Sequence, residues 1–461
     1  MPPLALFFIT AFVATPITLF IILPVLYLKL RPPTAHKSSH GKRQSRAAVL
    51  VLGDIGRSPR MQYHALSLAQ NDRKVSLIGY VESRISPDIV EHPNITIHAI
   101  STPPKFLATS SILLFTIFAP LKIIYQLCIL LELLLYTLPD DTAVLITQNP
   151  PSMPTFIVAI ITRYYRGIRW VVDWHNFGYS ILALKFGKAP IVGLSEWYER
   201  YFGKRADGHL TVTSAMKNFL QTGWNMGGQI NVLYDRPPSQ FQPFTAEERS
   251  DFLRRFNETE SQAESILKGS TRLIVSATSW TPDEDFSILL KALLEYDREA
   301  TMQSFLGKGG DALPRLLVIV TGKGPLKSYY ESLFGTLELQ SVDIKTAWLE
   351  PEDYPKLLAC ADLGISLHTS SSGLDLPMKV VDLFGCGIPV LAAGFQCVGE
   401  LVKDGVNGKL FQDAEGLGAL LKHLLSDSKE LESLKKGALE ETKDRWEENW
   451  KKNALPVIDR S

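Results

Sequence analysis

Ala47-Ala48-Val49-Leu50-Val51-Leu52-Gly53-Asp54-Ile55-Gly56 is a continuous apolar run that stops at a glycine-flanked acid, and Pro59 to Gln70 then follows with helical periodicity. An apolar run of this length, closed by a tight turn and handed to a helix, reads as the first strand, turn and helix of a doubly wound domain. Strands of such a sheet are covered on both faces and so need no polar alternation. Val75 to Tyr80, Ile95 to Ile100, Ala143 to Thr147 and Arg169 to Asp173 supply further strands. Gly53-Asp54-Ile55-Gly56 is not a complete G-x-G-x-x-G fingerprint and assigns no dinucleotide. Its place at a strand's carboxyl end nevertheless puts Asp54 and Arg57 where such folds take ligands.

The same alternation restarts in the second half. Arg272 to Thr278 reads as a strand, Phe286 to Tyr296 as a helix, and Leu316 to Thr321 as a strand running into a Gly322-Lys323-Gly324-Pro325 turn. A short strand near Ile344 to Ala347, a helix from Glu352 to Cys360, the strand Leu363 to Leu367, a helix from Met378 to Cys386 and the strand Pro389 to Ala392 complete a second doubly wound sheet. Pro237-Pro238 and the charged helical run after them mark 236–268 as a connector. Trp446 and Trp450, four apart, suit a terminal helix over 446–461 that packs back on the first domain.

The chain has 461 residues, 46% apolar and 21% charged, with 48 basic against 48 acidic side chains, a balance that excludes the basic footprint of a nucleic-acid binder. Position changes the meaning of that balance. Residues 1–28 carry no charge, and Lys29, Arg31, Lys37, Lys42, Arg43 and Arg46 follow them. As a helix, Leu4 to Leu28 would run roughly 37 Å, enough to cross a hydrocarbon core of about 30 Å. Pro16 and Pro24 are tolerated in such a span, and a cleaved signal peptide is disfavoured because no basic residue precedes the long apolar run. The cations beyond it keep that side cytosolic, so the expected topology is single-pass with a lumenal N-terminus. On that topology Asn94-Ile95-Thr96 and Asn257-Glu258-Thr259 carry no glycan, although both match the acceptor pattern. Cys128, Cys360, Cys386 and Cys397 form no C-x-x-C pair, so neither disulfide nor zinc site is expected.

A second apolar block, Phe106 to Leu138, is interrupted by Pro120, Lys122, Gln126 and Glu132. A span there would put strands of one sheet on opposite sides of the membrane. Helices lying on the cytosolic leaflet are the reading adopted, with a buried core helix as the alternative. The expected division is therefore an anchor over 1–30, a basic linker over 31–46, a first domain over 47–235 containing the block 106–138, the connector 236–268, a second domain over 269–445, and the helix 446–461.

The densest motif is Thr369-Ser370-Ser371-Ser372-Gly373-Leu374-Asp375-Leu376-Pro377-Met378-Lys379-Val380-Val381-Asp382. Small hydroxylated residues before a helix start let a phosphate reach free backbone N–H groups and the positive end of the helix dipole. Lys379 in the first turn can cover the same phosphate. Asp382, three residues on and so on the same face, is placed to accept from vicinal ribose hydroxyls. Ser371, Ser372, Gly373, Asp375, Lys379 and Asp382, with Gly322, Lys323 and Gly324, are the nucleotide-sugar candidates. The bland alternative is a capping loop beside a surface ion pair.

Two sheets of this kind, with a phosphate loop in the second, resemble the GT-B glycosyltransferases, over nearly all of 47–461. A closer resemblance, to the chitobiosyldiphosphodolichol β-mannosyltransferase family, rests on Gly53-Asp54-Ile55-Gly56-Arg57-Ser58-Pro59-Arg60-Met61-Gln62-Tyr63-His64, on Asp173-Trp174-His175-Asn176-Phe177-Gly178-Tyr179-Ser180, on Thr278-Ser279-Trp280-Thr281-Pro282-Asp283-Glu284-Asp285-Phe286, and on Ser371 to Cys386. It implies two facing Rossmann-like domains, the first for acceptor and the second for sugar nucleotide. The implied reaction is transfer of mannose from GDP-mannose to dolichol-diphosphate chitobiose at the endoplasmic reticulum membrane, with a β-1,4 linkage and inversion. It also implies contact with ER membrane lipid and with other early mannosyltransferases of the same pathway. The paired glutamates of many retaining relatives are absent: aligned on Pro377, their places hold Leu374 and Asp382, with Asp375 one residue off.

Inversion by single displacement needs one general base and a stabilised leaving diphosphate. Asp54 and His175 are the candidates for the base. His175 has the more useful ordinary pKa, about 6.5, whereas Asp54 would have to be tuned upward. Arg57 and Arg60 are candidates for the acceptor's diphosphate, with Asn176 beside them. Lys323 and Lys379 are the cations for the GDP phosphates. No cofactor is required; Asp283-Glu284-Asp285 leaves a divalent cation such as Mg open. A sugar-nucleotide epimerase, another membrane-bound GT-B transferase and an inactive scaffold of the same fold remain as alternatives.

Overall fold

The computed structural model describes residues 46–104, 112–281, 284–306 and 312–459, with side chains from 118 on in the second stretch. The expected anchor over 1–30 and the linker up to 45 lie outside the described residues, as does Asp283. The described chain divides into two compact units. The first runs from Arg46 to Thr211, adds Lys217–Leu233, and takes the chain again from Trp450; the second is Val212–Met216 with Tyr234–Asn449.

The first unit is built on seven parallel strands: β1 (Arg46–Asp54), β2 (Val75–Tyr80), β3 (Ile95–Ala99), β4 (Thr142–Asn149), β5 (Arg169–Trp174), β6 (Gly208–Thr211) and β7 (Gln229–Val232). Their order is β3-β2-β1-β4-β5-β6-β7. Val49 pairs with Leu77 on one side and Ile146 on the other, so strand succession reverses between β1 and β4. The carboxyl ends at this switch are where a doubly wound sheet leaves a crevice. Ala47 to Leu50 are fully buried, as strands covered on both faces must be. β6 and β7 went unread because they are four residues each and carry His209, Gln229 and Asn231 in place of an apolar run.

Helix α1 (Pro59–Gln70) follows β1. Residues 106–111 of the second apolar block lie outside the described residues; from Ile112 it is one helix, α2 (Ile112–Glu132), with Pro120 inside it, continued by a π-turn over Leu133–Thr137. Leu127, Leu130, Leu131, Leu134 and Leu138 are buried. Arg166 donates to the carbonyls of Leu134 and Leu138 at 2.9 and 3.0 Å. Gln126, one of the polar interruptions of the block, is buried and donates to the Tyr80 hydroxyl at 2.8 Å. The carboxyl half of the block is thus a core element of the first unit rather than a helix laid on a leaflet. Phe118–Thr137 still has the length and composition to cross a membrane. After β5 come α3 (Gly178–Phe186) and α4 (Pro190–Gly203).

The second unit has six parallel strands, β8 (Thr271–Ala277), β9 (Arg315–Thr321), β10 (Val342–Ala347), β11 (Leu363–Ser366), β12 (Val390–Ala393) and β13 (Gly408–Phe411), in the order β10-β9-β8-β11-β12-β13. Alternate residues feed two cores: Leu273 and Val275 join one cluster and Ile274 the other, and Val390 and Leu391 divide the same way. Helix α5 (Phe286–Phe305) covers one face and α6 (Met378–Gly385) the other. The stretch 236–268, read as a connector, is part of this unit's core, because Phe241, Phe252, Leu253 and Ile266 are buried in it. Its charged helical run is the solvated face of those same helices.

The last two helices are α7 (Trp446–Asn453) and α8 (Leu455–Ile458). From Trp450 on they pack with the first unit: Asn231 donates to the Asn453 carbonyl at 2.8 Å and Arg169 to that of Val457 at 2.9 Å.

Candidate active site

Asp173, on β5 and fully buried, is the centre of the first unit's site. Arg60 and His64 lie one turn apart on α1 and both reach it. Arg60 spans the carboxylate, with Nε 2.8 Å from Oδ2 and Nη2 2.9 Å from Oδ1, while Nη1 donates to the Leu233 carbonyl at 2.8 Å. His64 Nε2 lies 3.0 Å from Oδ2, and His175 Nε2, from the loop after β5, lies 2.7 Å from the same oxygen. Burial works to raise the Asp173 carboxyl, but Arg60, then His175 and His64, hold it well below the usual carboxylate range.

The tautomers follow from donor chemistry. Trp450 Nε1 is 2.9 Å from His64 Nδ1, and an indole N–H can only donate, so Nδ1 carries the lone pair and Nε2 the proton. Burial, only partly offset by Asp173, lowers the His64 pKa and keeps the ring neutral. His175 also presents Nε2 to a carboxylate that only accepts, so its proton sits there and its lone pair on Nδ1. Among the described residues His175 Nδ1 makes no hydrogen bond, and the side chain is 22% exposed. A partly exposed imidazole with an oriented free nitrogen is a ready proton acceptor.

The other candidates of this unit are placed differently. Asp54 Oδ1 accepts from the N–H groups of Gly56, Glu82 and Ser83 at 3.1 to 3.3 Å. Burial pushes its pKa up, but the Ser83 hydroxyl and those N–H groups outweigh it and the net shift is down. The upward tuning a base would require is therefore reversed, and Asp54 ties the β1 turn to the segment after β2. Arg60 is 2% exposed with its guanidinium held by Asp173 and Leu233, which corrects its expected place on an acceptor diphosphate. Arg57, with an 80% exposed side chain, donates from Nε to the Ser83 hydroxyl at 3.2 Å and pairs with Asp54 Oδ2 at 3.6 Å through the same nitrogen. Asn176 Oδ1 accepts from Phe177 N at 2.7 Å and shapes the start of α3. Glu199 on α4, fully buried, accepts from Gly178 N at 2.8 Å and locks the two helices together.

In the second unit Gly322 and Gly324 are where they are because nothing larger fits. A Cβ on Gly322, at φ +130°, would stand 1.9 Å from the Thr278 carbonyl, and one on Gly324 1.7 Å from that of Ser279. Lys323 between them lies with Nζ 3.8 Å from the ring centre of Trp348, which follows β10. Lys379 Nζ reaches Glu284 Oε1 at 3.0 Å and Ser279 Oγ at 3.1 Å, using two of its three donors. Glu284, buried, accepts in turn from the Thr278 hydroxyl and from Ser279 N. The serine loop closes on Asp375, which accepts from Ser370 and Ser372, while Leu374 N is shared by both hydroxyls at 3.2 Å. Ser371 lies in that loop and Gly373 turns it at φ +73°. Asp382 accepts from the Tyr354 hydroxyl at 3.3 Å; burial, reinforced by Asp235 and opposed by that hydroxyl and Lys379, pushes its pKa to about 7. Among the described residues no three His, Cys, Asp or Glu side chains gather as metal ligands.

Comparison with known proteins agrees with this architecture. The glycosyl transferase-like family matches residues 311–452. Solved structures of similar fold include Anabaena Alr3699/HepE in complex with UDP, with a TM-score of 0.62 at 16% identity over 90% of this chain and 98% of that one. The glycosyltransferase WaaG, involved in lipopolysaccharide biosynthesis, follows at TM-score 0.61 and 15% identity over 90% and 100%. Among curated proteins, the chitobiosyldiphosphodolichol beta-mannosyltransferase of Dictyostelium discoideum is 42% identical over 88% of this chain and 92% of its own length. That of Mus musculus is 40% identical over 91% and 90%. The chain belongs to the chitobiosyldiphosphodolichol beta-mannosyltransferase family. The UDP-glycosyltransferase TURAN of Arabidopsis thaliana is also similar, at 43% over 91% and 98%. In this member of the mannosyltransferase family, the sequence alone assigned no role to Asp173 or His64, and read Glu284 only as part of an acidic run open to a divalent cation, although all three stand inside the quoted motifs. The usable signal was the pairing of Arg60 and His64 at i and i+4, which puts a cation and an imidazole on one helix face.

Proposed function

We propose that the protein transfers mannose from GDP-mannose to the chitobiose of GlcNAc2-diphosphodolichol, forming a β-1,4 linkage with inversion, at the cytosolic face of the endoplasmic reticulum. The observation that carries the mechanism is His175, held by Asp173 through Nε2 with Nδ1 free. Nδ1 takes the proton of the acceptor hydroxyl as that oxygen bonds to the anomeric carbon, and the bond from that carbon to the diphosphate oxygen breaks with its electron pair. Asp173, kept ionised by Arg60, stabilises the imidazolium that forms. The third donor of Lys379, the Lys323 ammonium and the first turn of α6 offset charge on the departing GDP. Arg57, exposed although its Nε pairs with Asp54, is the cation for the acceptor's diphosphate. Direct metal participation is not needed for this balance.

Purified protein is incubated with GDP-mannose and a chitobiose-diphosphate lipid, with UDP-sugars in parallel, and the product is digested with α- and β-mannosidases. Mannose transfer sensitive only to β-mannosidase is expected. Absence of transfer, use of a UDP-sugar instead, or an α-linked product overturns the proposal.

A further inference from the structure

Helices α3 and α4 form a hairpin that starts three residues after His175 and leaves a large apolar face uncovered. Ile181 and Leu184 on α3, and Ile191, Leu194, Trp197 and Tyr201 on α4, are all exposed, Leu184 by 60% and Trp197 by 53%. On α4 the spacing is three, three and four, a single stripe along the helix. A neighbouring stripe, Ser195, Tyr198 and Glu199, is the buried one that joins the first unit. An apolar stripe beyond the one the core needs marks a surface that meets something other than water.

Its charges say what. Lys185, Lys188, Arg200, Lys204 and Arg205 are exposed along the same hairpin, whereas its two acids are covered, Glu196 in part and Glu199 fully. Trp197 stacks on Tyr201 with ring centres 5.2 Å apart and an interplanar angle of 14°, and the Arg205 guanidinium lies 3.9 Å from the Tyr201 ring centre. Amphipathic aromatics between aliphatic side chains and cations match the layering of a bilayer interface, where rings sit at headgroup depth and basic groups meet anionic lipid. A protein partner would be expected to supply acids against five cations; a membrane with anionic lipid supplies them at any orientation about its normal.

We infer that the α3–α4 hairpin docks on an anionic bilayer surface, seating the His175 loop at headgroup level. The inference rests on the proposed lipid-diphosphate acceptor for its purpose, and its test does not depend on transfer. Full-length protein carrying Leu194→Cys, labelled with a polarity-sensitive fluorophore, is reconstituted in phosphatidylcholine vesicles with and without phosphatidylserine, some containing nitroxide lipid. Emission about threefold brighter with phosphatidylserine, and quenched by a shallow nitroxide, is expected. Replacing Lys185, Lys188 and Lys204 by glutamate should abolish that difference. No quenching in either lipid, or quenching only when other membrane proteins are added, overturns the inference. In a separate arm, Leu184→Ser with Trp197→Ser should lower transfer to a long-chain acceptor in membranes about tenfold, and transfer to a water-soluble short-chain acceptor by less than about twofold. Equal losses on both overturn the docking role; no transfer by the unaltered protein sinks the reaction while the fluorescence result stands.

Discussion

Trp450→Phe is the sharpest perturbation of the site, because it removes one N–H from a residue that touches no substrate. Trp450 and His64 are both fully buried and joined at 2.9 Å. Without the indole donor, His64 Nδ1 is left as a buried acceptor with an unmet lone pair, which costs about 1–3 kcal/mol. The volume lost from indole to phenyl adds roughly 1 kcal/mol of cavity. A total of about 2–4 kcal/mol is well below the 5–15 kcal/mol that holds a typical domain, so the first unit stays folded. For a domain of this size each kcal/mol lowers Tm by about 2–4 °C, and scanning calorimetry of the full chain should show the first unit's transition falling by several degrees. The same change frees His64 to shift its proton to Nδ1 and turn a lone pair on Asp173, disturbing the carboxylate that orients His175. The expected kinetic signature is a fall in kcat with little change in donor KM. An unchanged transition temperature, or a loss confined to KM, would refute the tautomer argument.

Four further outcomes follow from single residues. Burial holds His209 at about 4, so above pH 6.5 its contribution to stability is complete, and it is lost as pH falls toward 4 while the unfolded chain alone binds the proton. Glu199, raised by burial to about 7, works oppositely, favouring the fold below its ordinary pKa and less as pH rises to 7; urea midpoints of His209→Gln and Glu199→Gln between pH 4 and 7 should shift from the parent in opposite directions. Gly324→Ala, whose Cβ meets the Ser279 carbonyl at 1.7 Å, should raise the donor KM and lower the second unit's melting temperature, both visible beside an unaffected first-unit transition. Lys379→Ala should cut kcat about 100- to 1000-fold, with Lys379→Arg recovering part of it, if its charge faces the leaving diphosphate.

The fold was legible where strands are buried on both faces. β1 and β9 carry unbroken apolar runs, Ala47–Leu52 and Leu316–Val320, and β2 and β8 are apolar but for a few small or terminal polar residues, the pattern a parallel sheet in that environment leaves. β6, β7 and β13 were not, being four-residue strands whose neighbours in the sheet, not their own side chains, decide their conformation. The phosphate-side residues were legible for a local reason: Gly322, Gly324 and the serine loop are turns, and turn chemistry is written in adjacent residues. The Asp173 cluster is of another kind. Its members come from residues 60 to 64, from 173 to 175 and from 450, and nothing local in any of the three says that they meet.

That separation also explains why Arg60 was misplaced. An arginine after a glycine turn looks like a surface cation for a phosphate, but here it faces a carboxylate with no solvent to support its charge. An unpaired buried carboxyl would sooner take up a proton than stay ionised. Protonated, Asp173 would offer an O–H to His175 instead of accepting from it; the imidazole would then present its lone pair inward and its proton to the solvent side, the reverse of what a base requires. Arg60 therefore decides which way His175 points chemically without coming near a sugar. His64 acts to the same end, because a neutral ring locked by Trp450 gives Oδ2 a donor that adds no second charge. The catalytic direction of one imidazole is in this way set by a cation, a neutral ring and an indole drawn from distant parts of the chain.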